Sequence, residues 1–288
     1  MQNNVPEWLD RKEYPFTSNF LSVDGQRLHF IDEGKGPVIL FVHGTPSWSF
    51  DWRHLIKELS ADFRCIAPDH IGFGLSDKPE LYDYSTLHHS HNLQLLIEHL
   101  QLNDITLVVH DFGGPIGFRY ALDHPGNIKQ LIVLNSWLWD FSDAPAFQPL
   151  KKFIRSPLLP FLYRQLNFSA RFLLPKSFGT KKLPKKILKH YTAPFRNASE
   201  RNGCLAFARA LMSDHDWLET MWQRRSLLQN KKMLLVWGMT DRFVTPHFLK
   251  KFSGGFPSAT VVALQNCGHF PQEEQPREVL TAIRNFLS

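Results

Sequence analysis

Short apolar runs alternate with longer stretches in which apolar residues recur every three or four positions, and this rhythm persists along most of the chain. Ile105 to Val109 is the clearest run. With Thr106 as its one polar member it suits a strand buried on both faces, as in a parallel sheet. Val38 to Val42, Phe63 to Ala67, Ile128 to Leu134, Met233 to Trp237 and Thr260 to Leu264 also read as strands. Phe20 to Asp24 and Arg27 to Asp32 form two more, joined across Asp24-Gly25, a hairpin signal. Helical spacing marks Trp52 to Leu59, Ser85 to Leu102, Pro115 to Leu122, Asp216 to Leu228 and Glu273 to Leu287. Strands alternating with helices predict an α/β fold: a mostly parallel sheet with helices on both faces.

The rhythm breaks between Ser136 and about Ser213, where the chain is Pro-punctuated, Phe-rich and helical in pattern without a convincing strand. The expected organisation is a core domain of residues 1–135 and 214–288 with an inserted helical cap over 136–213. At 43% hydrophobic and 13% aromatic residues, 288 residues suffice to fill such a core. The net charge of +6 is unevenly placed: Trp137 to Ser213 holds 14 Lys and Arg against 3 Asp and Glu, or +11, leaving 6 − 11 = −5 elsewhere. Its lysines are interrupted by Pro and apolar residues and match no nucleic-acid module. The segment is read as a solvated face, with no nucleic-acid partner.

No apolar run reaches the roughly 18 residues of a membrane span, and the N-terminus lacks a basic-then-apolar signal pattern, so a cytoplasmic protein is expected. Cys65, Cys204 and Cys267 are too scattered for a disulfide framework or a zinc knuckle and are read as buried thiols. The Asn-x-Ser triplets at Asn167 and Asn197 matter only in a secreted chain.

In a parallel sheet the ligand crevice lies beyond the carboxyl ends of the strands. His43, His70, Asp111, Asn135 and Asp241 all follow predicted strands. Around Asp111 the sequence His110-Asp111-Phe112-Gly113-Gly114 places an acid on a strand-turn-helix corner, with small residues that let the helix pass close to the strand. Asp241 and His269 complete the order nucleophile, acid, histidine, which is that of the α/β-hydrolases. A carboxylate is already ionised at neutral pH and attacks a saturated carbon without first losing a proton. The resulting ester would be hydrolysed by water activated by His269, itself oriented by Asp241. Backbone N–H groups of Phe112 and Thr45 are placed to stabilise the oxyanion. This chemistry implies a small, largely apolar substrate and water, and no cofactor. A metal site at His88, His89 and His91 is disfavoured, because that spacing scatters the three around a helix.

Four motifs carry a family resemblance: His43-Gly44-Thr45-Pro46-Ser47-Trp48-Ser49-Phe50, Ala67 to Pro79 with its Gly74-Leu75-Ser76-Asp77-Lys78-Pro79 ending, His110 to Gly114, and Gly268-His269-Phe270-Pro271. Together they resemble the haloalkane dehalogenase and epoxide hydrolase branch of the α/β-hydrolases, over about Trp8 to Leu287. The resemblance implies the α/β-hydrolase fold with a cap and an Asp111, His269, Asp241 triad. Asn135 stands where one dehalogenase subgroup carries its catalytic Glu, so the acid is expected at Asp241. Two departures bear on the leaving group. Dehalogenases hold the halide with a Trp directly after the nucleophile and with Asn or a second Trp, whereas this chain has Phe112 and Thr45. Trp137 or Trp139 of the early cap would have to supply the missing indole. The branch also holds β-lactone decarboxylases of bacterial olefin formation, which use the same Asp-initiated chemistry. An epoxide hydrolase would need an acid from cap tyrosines, for which Tyr163 and Tyr191 are the candidates. From another class, a ligand receptor on this scaffold is the alternative.

Overall fold

The computed structural model describes residues 6–288; Met1 to Val5, the start of the N-terminus read for a signal pattern, lie outside the described residues. Eight strands form one sheet: β1 (Asn19–Val23), β2 (Gln26–Glu33), β3 (Val38–Val42), β4 (Arg64–Pro68), β5 (Ile105–Asp111), β6 (Ile128–Ser136), β7 (Lys232–Gly238) and β8 (Thr260–Leu264). Their order is β1-β2-β4-β3-β5-β6-β7-β8. β2 runs antiparallel to β1 and β4, and the remaining pairings are parallel. The hairpin turn holds Asp24 and Gly25 at φ 51° and 76°, the double positive φ that lets a two-residue turn follow the strand twist.

The helices are α1 (Arg53–Leu59), α2 (Thr86–His99), α3 (Gly113–Asp123), α4 (Gln148–Ile154), α5 (Leu159–Leu166), α6 (Leu174–Ser177), α7 (Lys185–Thr192), α8 (Asn202–Ser213), α9 (His215–Gln223), α10 (Pro246–Gly255), α11 (Pro271–Glu274) and α12 (Pro276–Leu287). β5 is buried at every position, and the strand pleat divides its side chains between two cores. Leu107 and Val109 join Leu40, Val42, Leu131, Val133 and Leu235 under α2, α3 and α10. Val108 joins Ile39, Phe41, Ile132, Leu134, Leu234 and Val236 under α1 and α12. The sheet is covered on both faces, as the apolar runs predict.

From β6 to β7 the chain is helical, α4 to α9, with no strand among the described residues. Element ends differ from the sequence pattern where proline or crowding intervenes. The helix expected from Glu273 to Leu287 is split into α11 and α12, since Pro276 has no amide hydrogen with which to continue the first. α9 stops at Gln223 and tightens into a 3-10 turn over Arg224–Leu228. α10 has no counterpart in the expected set. Among the described residues no helix is long and apolar enough to cross a membrane, and all three cysteines are buried and unbridged.

Candidate active site

Asp111 ends β5 at φ 51°, a conformation that a non-glycine residue holds only under tertiary constraint. The glycines around it supply that constraint. A Cβ on Gly113 would lie 2.0 Å from the Val42 carbonyl oxygen, and one on Gly114 would lie 1.8 Å from Ser136 Oγ. α3 therefore packs against β3 and β6 at a distance that no larger residue permits. Ser136 Oγ in turn donates to the Asp111 carbonyl at 2.6 Å.

The His43-Gly44-Thr45-Pro46 turn closes over the carboxyl group. A Cβ on Gly44 would strike Asp111 Oδ1 at 2.1 Å, so glycine is required for Thr45 N–H to reach that oxygen, at 2.8 Å. The Phe112 backbone N–H also favours the charged form of the Asp111 carboxyl. Two buried imidazoles brace the turn: His70 N–H donates to His43 Nε2 at 3.0 Å, and His70 Nε2 donates to the His43 carbonyl at 3.0 Å. Burial pushes the pKa of both rings down, which keeps them neutral for this role.

His269 lies between two carboxylates. Its Nε2 faces Asp111 Oδ2 at 3.2 Å and its Nδ1 faces Asp241 Oδ2 at 2.7 Å. Burial alone would lower the ring's pKa, but the charge and hydrogen bonds of Asp241 and Asp111 outweigh it and raise it to about 10. Burial likewise works against ionisation of Asp111 and Asp241, and His269 overrides it, holding both below the usual carboxylate range. Asp241 is fixed from three more sides: Oδ1 accepts from Phe243 N–H at 2.7 Å and Val244 N–H at 3.1 Å, and Oδ2 from Asn135 Nδ2 at 2.8 Å. Asn135 Oδ1 accepts from Gly238 N–H at 2.8 Å, which fixes the amide's orientation. Asn135 is thus an anchor for Asp241. Its sequence position marks a strand end but not that partner.

These groups form one wall of a cavity of about 460 Å³. Its other walls are largely apolar and come from the early helical segment, α4, α5 and α8 and the β7-α10 loop; they include Trp137, Phe147, Leu150, Tyr163 and Phe243, with Pro46 of the Thr45 turn beside them. A family model of the alpha/beta hydrolase fold matches residues 37–276. The chain belongs to the α/β-hydrolase fold family. A cis-3-alkyl-4-alkyloxetan-2-one decarboxylase of Shewanella oneidensis is 37% identical over 285 residues, covering 95% of this chain and 89% of that protein. Haloalkane dehalogenase 2 of Mycobacterium tuberculosis is 32% identical over 277 residues, covering 95% and 96%. The crystal structure of the haloalkane dehalogenase DatA from Agrobacterium tumefaciens C58 matches with a TM-score of 0.85 at 25% identity, over 94% of this chain and 96% of that one. Within the α/β-hydrolases this chain is an enzyme of the haloalkane dehalogenase-like branch.

The residues named for the leaving group distribute unevenly in this α/β-hydrolase. Phe112 lines the cavity with its ring wedged between Trp137, at 4.9 Å, and Phe207, at 4.7 Å. Trp137 and Trp139 both line the cavity, but Trp139 is boxed in by Trp222 and Phe252, with Lys251 Nζ over its ring at 4.7 Å. The Thr45 hydroxyl lies against the Cys204 thiol, whose pKa burial pushes up to about 12. Tyr163 lines the cavity and burial raises its pKa. Tyr191 does not line it. Its hydroxyl lies 2.8 Å from Glu273 Oε2 and 3.1 Å from Asp51 Oδ1 on the far side of the His269 loop, so the pair of candidate cap acids reduces to one. His88, His89 and His91 do not converge: His88 bonds Tyr82, His89 is fully buried and His91 is exposed.

Proposed function

We propose that this enzyme forms a covalent ester between Asp111 and an apolar substrate and that a β-lactone carrying alkyl chains is its substrate class. The observation that supports the ester chemistry is the placing of Asp111 Oδ2 and Asp241 Oδ2 on opposite nitrogens of His269 at the wall of an apolar cavity. Thr45 N–H engages Oδ1, and Oδ2, whose contact with His269 Nε2 leaves a lone pair open, makes the attack. The Oδ2–carbon bond forms as the bond from that carbon to the leaving group breaks. In hydrolysis, water adds to the Asp111 carboxyl carbon as His269 Nε2 takes its proton. The oxyanion develops on Oδ1 between the Thr45 and Phe112 N–H groups, then collapses to expel the alcohol.

Leaving-group chemistry separates the candidate substrates. Phe112 has no side-chain N–H, so a departing halide would lose the indole donor at that position and keep the otherwise unpartnered Thr45 hydroxyl and the Trp137 indole as side-chain donors near the nucleophile. A β-lactone needs no such clamp: attack at its ring C–O carbon releases a carboxylate that stays tethered to the new ester. The ester is then either hydrolysed or loses carbon dioxide, with the electron pair forming the alkene and expelling the Asp111 carboxylate. The 37% identity to an oxetan-2-one decarboxylase supports this class. Haloalkanes are the second reading, supported by Trp137 edging Phe112 inside the cavity. A missing hydrogen bond to a developing anion costs about 1.5 to 3 kcal/mol, or roughly ten to a few hundred fold in rate. Bromide release from 1-bromobutane is therefore expected to be weak in the native enzyme. It should rise in Phe112→Trp and further with Thr45→Asn.

The deciding experiment offers the native enzyme a dialkyl β-lactone, 1-bromobutane, styrene oxide and a p-nitrophenyl ester and identifies the products. Consumption of the lactone above the other three is expected. Fast bromide release with the lactone untouched would return the enzyme to ordinary dehalogenase chemistry.

This reading implies a pH dependence. With a pKa of about 10, His269 is protonated at rest, and esterification of Asp111 removes one of the two charges that keep it so. The ring becomes a base at the step that needs one. In single turnovers, ester formation should be flat between about pH 6 and 9, whereas hydrolysis should climb through an apparent pKa below 10. A flat hydrolysis profile would remove His269 as the base.

A further inference from the structure

Residues 144–199 contain twelve Lys and Arg and no Asp or Glu. Ion pairs occupy part of that charge: Lys151 with Asp143, Arg164 with Glu80, Lys186 with Asp10 and Arg196 with Glu200. Lys152, Arg155, Arg171 and Lys176 are exposed and meet no carboxylate among the described residues.

The same segment also exposes apolar side chains. Leu158, Phe161, Leu166 and Phe172 are 62%, 55%, 40% and 45% exposed, four of the ten large apolar residues in the described chain that face water to this extent. On α5, Leu159 and Tyr163 are buried one turn apart, while Leu158, at the helix start, and Phe161 project from the opposite side. Phe172 stacks on Phe168 at 5.6 Å, and Phe168 touches Phe153 and Tyr163. The patch is therefore the outer face of helices whose inner residues Leu150, Ile154, Tyr163 and Leu173 line the cavity.

A solvated face accounts for the cations but not for leucines and phenylalanines among them. Nucleic acid would satisfy the cations and leave the apolar side chains wet. A second copy of the chain, packed face to face, would set cation against cation. We propose that this face docks on a bilayer containing anionic lipid, with Leu158, Phe161, Leu166 and Phe172 entering the acyl boundary and Lys152, Arg155, Arg171 and Lys176 among the headgroups. A substrate dissolved in that bilayer would then meet the helices that wall the cavity, a consequence that rests on the apolar-substrate reading above.

Docking is tested without measuring turnover, so its failure is distinct from failure of the catalytic reading. The full chain is sedimented with vesicles of phosphatidylcholine alone and of phosphatidylcholine with phosphatidylglycerol. Binding only to the anionic vesicles, released by added salt, is expected. Neutralising Lys152, Arg155, Arg171 and Lys176 to Gln should lower partitioning about fivefold per cation, and Leu158→Ser with Phe161→Ser should lower it about tenfold or more. Absence of binding, equal binding to neutral vesicles, or undiminished binding by either variant would overturn the proposal. So would gel filtration showing a native dimer that Leu158→Ser with Phe161→Ser converts to monomer, since the patch would then belong to a second copy.

Discussion

Incubated with a substrate that the native enzyme consumes, the His269→Ala variant will gain mass on Asp111, whereas Asp111→Asn will gain none. Ester formation needs only an ionised carboxylate aimed into the cavity, and Asp111 retains the Thr45 and Phe112 N–H donors when His269 is gone. Hydrolysis needs the imidazole to deprotonate water, so the reaction halts at the ester. An amide at position 111 lacks the negative charge that makes a carboxylate oxygen nucleophilic enough to attack. Both variants should lose at least about 10⁴ in turnover, as removal of one member of a concerted catalytic unit does, yet they fail on opposite sides of the intermediate. Intact mass spectrometry separates them. The expected increment is the substrate less its leaving group, or the whole molecule for a β-lactone, whose leaving group stays attached. With a substrate whose ester only water can resolve, such as a haloalkane, an unmodified His269→Ala protein would rule out the two-step mechanism, whereas a β-lactone ester that decarboxylates would leave the protein unmodified and release the alkene.

Asp241→Asn should reduce turnover by about 10⁴, on the scale of the same swap in a Ser-His-Asp triad, while Asn135→Ala should cost roughly ten to a few hundred fold. The difference follows from donor placement. The Phe243 and Val244 N–H groups require an acceptor where Asp241 Oδ1 sits, so the amide of the Asp241→Asn variant would keep its oxygen there. Its NH₂ would then point at both His269 Nδ1 and Asn135 Nδ2, donor against donor. His269 could avoid the conflict only by accepting at Nδ1 and carrying its proton on Nε2, the tautomer unable to take a proton from water. Asn135→Ala removes a single donor from Asp241 and leaves His269 its partner. Steady-state kinetics ranking Asn135 above Asp241 would move the orienting acid to the neighbouring strand.

The sheet was legible because a strand buried on both faces shows as an apolar run, and β5 sends Leu107 and Val109 to one core and Val108 to the other, with Thr106 the single polar residue before His110. Asp111, Asp241 and His269 were legible because each follows a strand, and the carboxyl ends of parallel strands converge. What the residues themselves do not display is direction. Tyr163 and Tyr191 look alike in sequence, and only packing turns one toward the cavity and the other toward Asp51 and Glu273. Asn135 is 106 residues from Asp241, and no local pattern announces that contact. The bracing of the Thr45 turn by His43 and His70 is equally non-local. α10 is not legible in the sequence because its interior apolar positions are sparse and it ends in two glycines.

The Tyr191 hydroxyl makes one mechanical piece of α7 and the loop that carries His269. Glu273, four residues beyond that histidine, is clamped by both terminal nitrogens of Arg53, and its pKa is pulled down to about 2. Asp51, on the other side of the hydroxyl, also holds Ser47 Oγ and Gln272 Nε2. A chimera that imports a relative's helical segment with Phe in place of Tyr191 would take away the one donor that the buried carboxylates Glu273 and Asp51 share, at about 1 to 3 kcal/mol, and the strain would fall on the histidine loop. The resulting loss of turnover would mimic a change of substrate range while arising from misalignment. Engineers who want new substrates should therefore recarve Leu150, Ile154 and Leu173 from within and keep α7 as the hinge pin.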